Sequence, residues 1–260
     1  MTESGPAPSA PWRLVAEVIL GWVKAPRELR SLLPAGVAPL PGRSALVAVS
    51  YDESPVGPYL ELSLALPARL GLRPGLCVVF QIVSAPEART AYRTNWGLPA
   101  TVGPLSWAAE GNERVLRCEE PGIEVRGLPV GPAFPALVPV RSVQRRTDGP
   151  VVLPRRFLSL VRLSRTTVHV AESADGHAVE GLHGLAGIHP GAVMAGARIL
   201  ARPARHPAGL WSSLRAPRAA PEPVLARSAG AGVAASEILA TVAPRTGRLA
   251  QLVRAQPSHG

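Results

Sequence analysis

The sequence predicts a mainly β protein with short flanking helices, built on the meandering antiparallel sheet of a sandwich or barrel. Three observations carry this. The 260 residues include 25 glycines and 29 prolines, which favours strands, turns and extended connections over long helices. Short apolar runs rich in β-branched residues recur along most of the chain, separated by Gly, Pro, Asp or Asn. One run, PYLELSLAL (58–66), alternates cleanly with period two. Hydrophobic residues at 47% against 18% charged imply that most of the chain folds, and the length suits one large domain or two small ones.

Residues 1–11 read as a disordered lead, 12–219 as the folded domain, and 220–260 as a basic Ala/Pro/Arg-rich tail of poor order. WRLVAEVILGWV (12–23) fits a first strand or a short helix. APRELRSLLPAG follows, with Pro26 suited to a first helical turn and Pro34-Ala35-Gly36 ending it. Strands are then expected at SALVAVSY, PYLELSLAL, LCVVFQIV, GPLSWAAE, RVLRCEE, GIEVRGL, ALVPVRSVQ, RFLSLVRLS and TTVHVAES. GAVMAGARILARP is a further strand candidate, and HPAGLWSSLRAP reads as a short closing helix. The stretch YRTNWGLPATVG (92–103) has little apolar periodicity and looks like a functional loop.

The formal charge of +10 is uneven. From Gly196 onward arginines 198, 202, 205, 215, 218, 227, 245, 248 and 254 face only Glu222 and Glu237. Such an end can touch nucleic acid or an acidic partner, but it has no aromatic after Trp211 to stack on bases and no recognition helix, so nucleic acid is not the expected partner. Lys24 is the only lysine among 28 Lys and Arg residues. Cys77 and Cys118 have neither metal spacing nor a disulfide pattern, and Cys77, within LCVVFQIV, reads as a buried thiol. His169, His177, His183 and His189 lack a paired ligand motif, so no metal is expected. MTESGPAPSAPWR has neither the basic start nor the apolar core of a secretory signal. No apolar stretch reaches the roughly 20 residues of a spanning helix, so a cytoplasmic protein without a membrane partner is expected.

On a strand, Leu60, Leu62, Leu64 and Leu66 point to one side and Tyr59, Glu61, Ser63 and Ala65 to the other. The leucines must meet packed side chains. Glu61 then faces either bulk water, the ordinary case for antiparallel sheet, or the interior of a polar cavity.

Two segments together resemble the acetoacetate decarboxylase family. YDESPVGPYLELSLALP (51–67) is similar to that family's Ser-Pro-x-Gly-x-Tyr-x-Glu pattern, in which the glutamate belongs to the active site; here it falls on Glu61. Tyr92 to Thr101 is similar, without a gap, to the family's Gly-Arg-Glu-x-x-Gly-Phe-Pro-Lys-Lys. RELRSLLPAGV (27–37) resembles its early helix and Leu-Pro turn. The resemblance implies a mostly antiparallel, cone-shaped β-barrel with marginal helices, an oligomer of identical chains, and a cavity for a small carboxylate or oxo-acid.

The resemblance also implies a Schiff-base lysine activated by a second lysine, and there this chain departs. Ala100 and Thr101 stand at those positions, and neither forms an imine. Lys24 lies outside the matched segments, and arginine offers no free nucleophilic nitrogen. What the resemblance leaves is Glu61 as a general acid or base and Arg93 as either a bidentate anchor for a substrate carboxylate or a partner for an acidic neighbour. Tyr59, Asn95, Trp96 and Thr101 would line the cavity, Trp96 being equally at home in a core. The expected function is binding of a small oxo-acid or carboxylate without Schiff-base decarboxylation or a cofactor. A lysine-independent lyase, hydratase or isomerase is one branch and a non-catalytic binding relative another. Binding of nucleic acid or an acidic partner through the tail comes third.

Overall fold

The computed structural model describes residues 7–171 and 181–207. Its elements, in chain order, are β1 (Trp12–Val23), a 3-10 helix (Arg27–Leu32), β2 (Val37–Pro39), β3 (Ser44–Glu53), β4 (Tyr59–Leu70) and β5 (Arg73–Val83). Then come α1 (Pro86–Trp96), β6 (Ala100–Val102), β7 (Leu105–Glu110), β8 (Glu113–Cys118), β9 (Ile123–Arg146), β10 (Gly149–Val170), a 3-10 turn (His183–Leu185) and β11 (Gly187–Ala201). The architecture is mainly β with short flanking helices. The closing helix expected at HPAGLWSSLRAP lies almost wholly, and the basic tail entirely, outside the described residues. Among the described residues no helix is long and apolar enough to cross a membrane.

All strands join one sheet in the order β6-β5-β4-β3-β1-β11-β10-β9-β8-β7, with β2 beside β4. β5 also pairs β9 in parallel, at Leu76 and Ser142, so the run from β5 through β4, β3, β1, β11, β10 and β9 returns to its first strand. Its two faces bury different clusters. Leu62, Leu64 and Leu66 pack with Ile19, Leu46 and Val125 on one side. Trp12, Leu14, Tyr51, Tyr59, Leu153 and Ile199 pack on the other. Each leucine withdrawn from water in this way contributes about 2 kcal/mol.

Four of the expected strands merge in pairs. GIEVRGL and ALVPVRSVQ belong to β9, and RFLSLVRLS and most of TTVHVAES to β10, because the two strands stay paired from Ile123–Val170 to Arg146–Gly149. The prolines between the sequence runs do not break β9. β8 reaches only Gly127 and β5 touches only Ser142, so the intervening stretch keeps one free edge, where a missing N–H is tolerated.

The stretch that reads as a loop is instead the end of a helix. α1 begins with Pro86 at its first position and Glu87 in its first turn, both favourable there, and buries Ala88, Ala91, Tyr92 and Trp96 at helical spacing. Gly97 ends it in the left-handed conformation (φ 65°), its N–H donating to Arg93 O at 3.0 Å while Leu98 N–H donates to Tyr92 O at 3.2 Å. A Cβ at residue 97 would lie 2.5 Å from Arg145 O, so glycine also permits the close approach of α1 to β9. The polar run Arg93-Thr94-Asn95 is the outer face of this helix.

Candidate functional site

Strand pairing brings the polar residues of the inner face together. Glu61 stands opposite Val49 on β3 and Val83 on β5, Tyr59 opposite Tyr51, and Ser63 opposite Gln81. Residues directly opposite share a face, and so do residues two apart. Tyr51, Tyr59, Glu61 and Gln81 therefore converge, and α1 lays Tyr92 over them. Of the two environments open to Glu61, the structure supplies the interior: its exposure is 3%.

The Glu61 carboxylate is fully engaged. Oε2 accepts from Tyr51 Oη at 3.1 Å and from Tyr92 Oη at 2.8 Å, and Oε1 accepts from Gln81 Nε2 at 2.8 Å. Tyr92 has one hydroxyl proton, and the 2.8 Å contact with Glu61 claims it over the 3.4 Å contact with Tyr51 Oη. Its 2.5 Å contact with Tyr59 Oη is therefore a bond that Tyr59 donates. The result is a directed chain, Tyr59 to Tyr92 to Glu61, with Tyr51 as a second donor. Burial first, and then the negative charge of Glu61, raise Tyr51 and Tyr92 above the usual tyrosine range. Tyr59 is raised by burial and by its neighbours Tyr51 and Glu61.

Arg155 faces the same cluster from β10, between Val140 of β9 and Ala201 of β11. Its guanidinium carbon lies 5.9 Å from the centre of the Trp96 ring. The residue as a whole is half-buried, yet Nε and Nη2 are fully buried and have no hydrogen-bond partner among the described residues. Gln81 Oε1 is buried without a partner too.

The remaining sequence candidates are dispersed. Trp96 is buried, stacked edge-on against Trp12 at 5.1 Å, and donates its Nε1 to Arg202 O at 3.0 Å. Arg93 is exposed and its Nε donates to Ala100 O at 2.8 Å; it does not stand with Glu61. Asn95 is half-buried and ties the helix to the N-terminal segment through Nδ2 to Pro8 O at 2.8 Å. Thr101 is exposed, and its Oγ1 donates to Gln81 O at 3.1 Å on the outer side. Ala100, in register with Gln81, is fully buried on the inner face. Lys24 is exposed. Among the described residues no group of three or more His, Cys, Asp or Glu side chains is arranged to hold a metal.

Sequence reasoning missed Tyr51, Gln81, Tyr92 and Arg155. Tyr92 belongs to the helical recurrence of Ala88, Ala91 and Trp96, and two others left a signal as well. Gln81 is the one polar side chain in LCVVFQIV, and Tyr51 ends the alternation Ala45, Val47, Val49 that fixes the inner face of β3. Arg155, in a chain dense with arginine, left none.

The acetoacetate decarboxylase family model matches residues 5–185. Comparison with curated proteins gives no match. Among solved structures, the chain is similar to the enduracididine biosynthesis enzyme MppR complexed with pyruvate, at 16% identity and a TM-score of 0.57 over 77% of this chain and 93% of that one. It is similar to an acetoacetate decarboxylase-like enzyme from Sphingomonas wittichii RW1, at 16% identity and a TM-score of 0.58 over 79% and 97%. It is also similar to acetoacetate decarboxylase from Legionella pneumophila subsp. pneumophila str. Philadelphia 1, at 13% identity and a TM-score of 0.54 over 75% and 88%. At these identities the likeness shows a shared fold.

Proposed function

The chain belongs to the acetoacetate decarboxylase family, and from that premise we propose that it binds a small oxo-acid or carboxylate beside Glu61 and acts on it without a Schiff base. Ala100 and Thr101 occupy the positions that the sequence resemblance matches to the lysine pair, and the exposed Lys24 is solvated rather than activated. Glu61 instead exchanges a proton at the carbon next to the ligand's carbonyl, as a lyase, hydratase or isomerase requires. The observation that carries this reading is the directed chain of hydroxyls ending on Glu61, which supplies a route for the proton and fixes the carboxylate in place. MppR, of the same fold, is known complexed with pyruvate, which makes pyruvate a fitting probe.

The test is proton–deuterium exchange at the methyl group of pyruvate and at C2 of acetoacetate, followed by NMR in heavy water. The wild-type chain should accelerate exchange over buffer, and Glu61→Gln should return it to the buffer rate. Binding without accelerated exchange would reject the catalytic branch. It would leave the second reading, a non-catalytic binding relative, which a Glu61 already held by Tyr51, Tyr92 and Gln81 favours. Assembly into identical copies and a cytoplasmic site of action belong to the proposal as well; light scattering of the purified chain checks the first and cell fractionation the second.

A further inference from the structure

Arginines 114, 117 and 126 are partly exposed, and each is paired with glutamate: Arg114 with Glu17, Arg117 with Glu110 and Glu124, Arg126 with Glu110, Glu113 and Glu124. Arg155 departs from that pattern. It carries its charge into the interior and forms no ion pair there among the described residues, although Glu61 belongs to the same cluster. A buried cation without a partner is costly, so a fold that keeps one gains elsewhere. Burial works against the Arg155 charge, and the oxygens of Tyr92, Tyr51, Glu61 and Tyr59 outweigh it and hold the guanidinium protonated.

The two atoms without partners are not a random pair. Nε and Nη2 form one edge of the planar guanidinium, and their N–H bonds run parallel. That edge matches the two oxygens of a carboxylate. The rest of the cluster makes such an anchor necessary, because Glu61 repels an anionic ligand and the exposed Arg93 is spent on Ala100 O. Gln81 supplies an independent sign that the cluster is incomplete: with Nε2 committed to Glu61, its Oε1 is a buried acceptor awaiting a donor.

We propose that Arg155 is the anchor for the ligand's carboxylate, gripping it side-on through Nε and Nη2 with the Trp96 ring beside the guanidinium. This rests on the reading that the site takes a small carboxylate, and it narrows that reading. The carboxylate is essential for binding, it lies at the β10 side of the cluster, and the reacting end of the ligand points toward Glu61.

Titration calorimetry on the full chain tests this with pyruvate and its neutral isostere pyruvamide. Wild type should bind pyruvate at least ten-fold more tightly than pyruvamide. Arg155→Met should weaken pyruvate at least ten-fold and leave pyruvamide unchanged. Equal affinity of Arg155→Met and wild type for pyruvate overturns the anchor and leaves the functional proposal standing. Binding of neither probe by wild type overturns both. If circular dichroism shows Arg155→Met unfolded, Arg155→Lys decides: it keeps the charge and loses the two-point edge, so pyruvate should again weaken about ten-fold, and unchanged affinity overturns the proposal. Wild type binding pyruvamide as tightly as pyruvate overturns it without any variant.

Discussion

Tyr59 Oη donates to Tyr92 Oη across 2.5 Å, although the two residues are 33 apart in sequence and lie on a strand and a helix. The bond places a strand hydroxyl upstream of a helix hydroxyl that is itself committed to Glu61. The site is thus held by the packing of α1 on the sheet as much as by the sheet.

The two tyrosines should therefore differ under mutation. Tyr92→Phe removes a donor from Glu61 and the acceptor of Tyr59, leaving two buried groups short of a partner, and should cost about 2–3 kcal/mol of unfolding free energy. Tyr59→Phe removes only the terminal donor and should cost about 1 kcal/mol. Urea unfolding followed by circular dichroism measures both, and equal costs would contradict the direction assigned to the chain.

The protein has three tyrosines, and all three stand in this cluster. Burial raises each above the usual value near 10. A folded-state pKa above the unfolded one means that the native state holds its protons longer. The associated stability is complete below about pH 10 and is lost as pH rises past it, when unfolded tyrosines ionise and native ones do not. Tyrosinate absorbance near 295 nm should therefore stay flat through pH 10 and rise only with alkaline unfolding. A gradual rise centred on pH 10 in folded protein would place the hydroxyls in water.

Borohydride added with acetoacetate should leave no mass adduct on the native chain, since Lys24 is exposed. Ala100→Lys should cost about 1–3 kcal/mol, because the position is fully buried and its inner-face neighbours are already packed. Peptide mass mapping checks the first outcome and urea unfolding the second.

Burial pushes the Cys77 thiol up to about 12 and the Cys118 thiol up to about 11. Both stay protonated at pH 8, where the thiolate is the reactive form. A disulfide reagent should label neither in the native state and both after denaturation, at a rate that follows the opening of the fold. Stoichiometric labelling within seconds at pH 8 would contradict their burial.

The sheet was largely legible in the sequence because alternation and turn residues are local. Leu62, Leu64 and Leu66 announced one packed face, and Glu61 with Tyr59 the other. What alternation does not tell is whether a second packed layer or water lies beyond a polar face, and that decided Glu61. α1 was hidden although Ala88, Ala91, Tyr92 and Trp96 recur at helical spacing, because the polar run between Tyr92 and Trp96 breaks the eye before the period is counted. Arg93 reads from its neighbours in sequence as either a carboxylate anchor or a partner for an acidic residue. The helix turns it outward, and the interior arginine comes from β10, 62 positions later, through a pairing no local pattern encodes.

The closure between β5 and β9 gives the ring a seam. Elsewhere neighbouring strands are laced along most of their length; here Leu76 and Ser142 meet at one bridge, reinforced by Gln144 Nε2 donating to Val78 O at 3.0 Å. The backbone ladder contributes little along this line, and the joint is held instead by side chains, Cys77 packing with Val143 and Val152 across it.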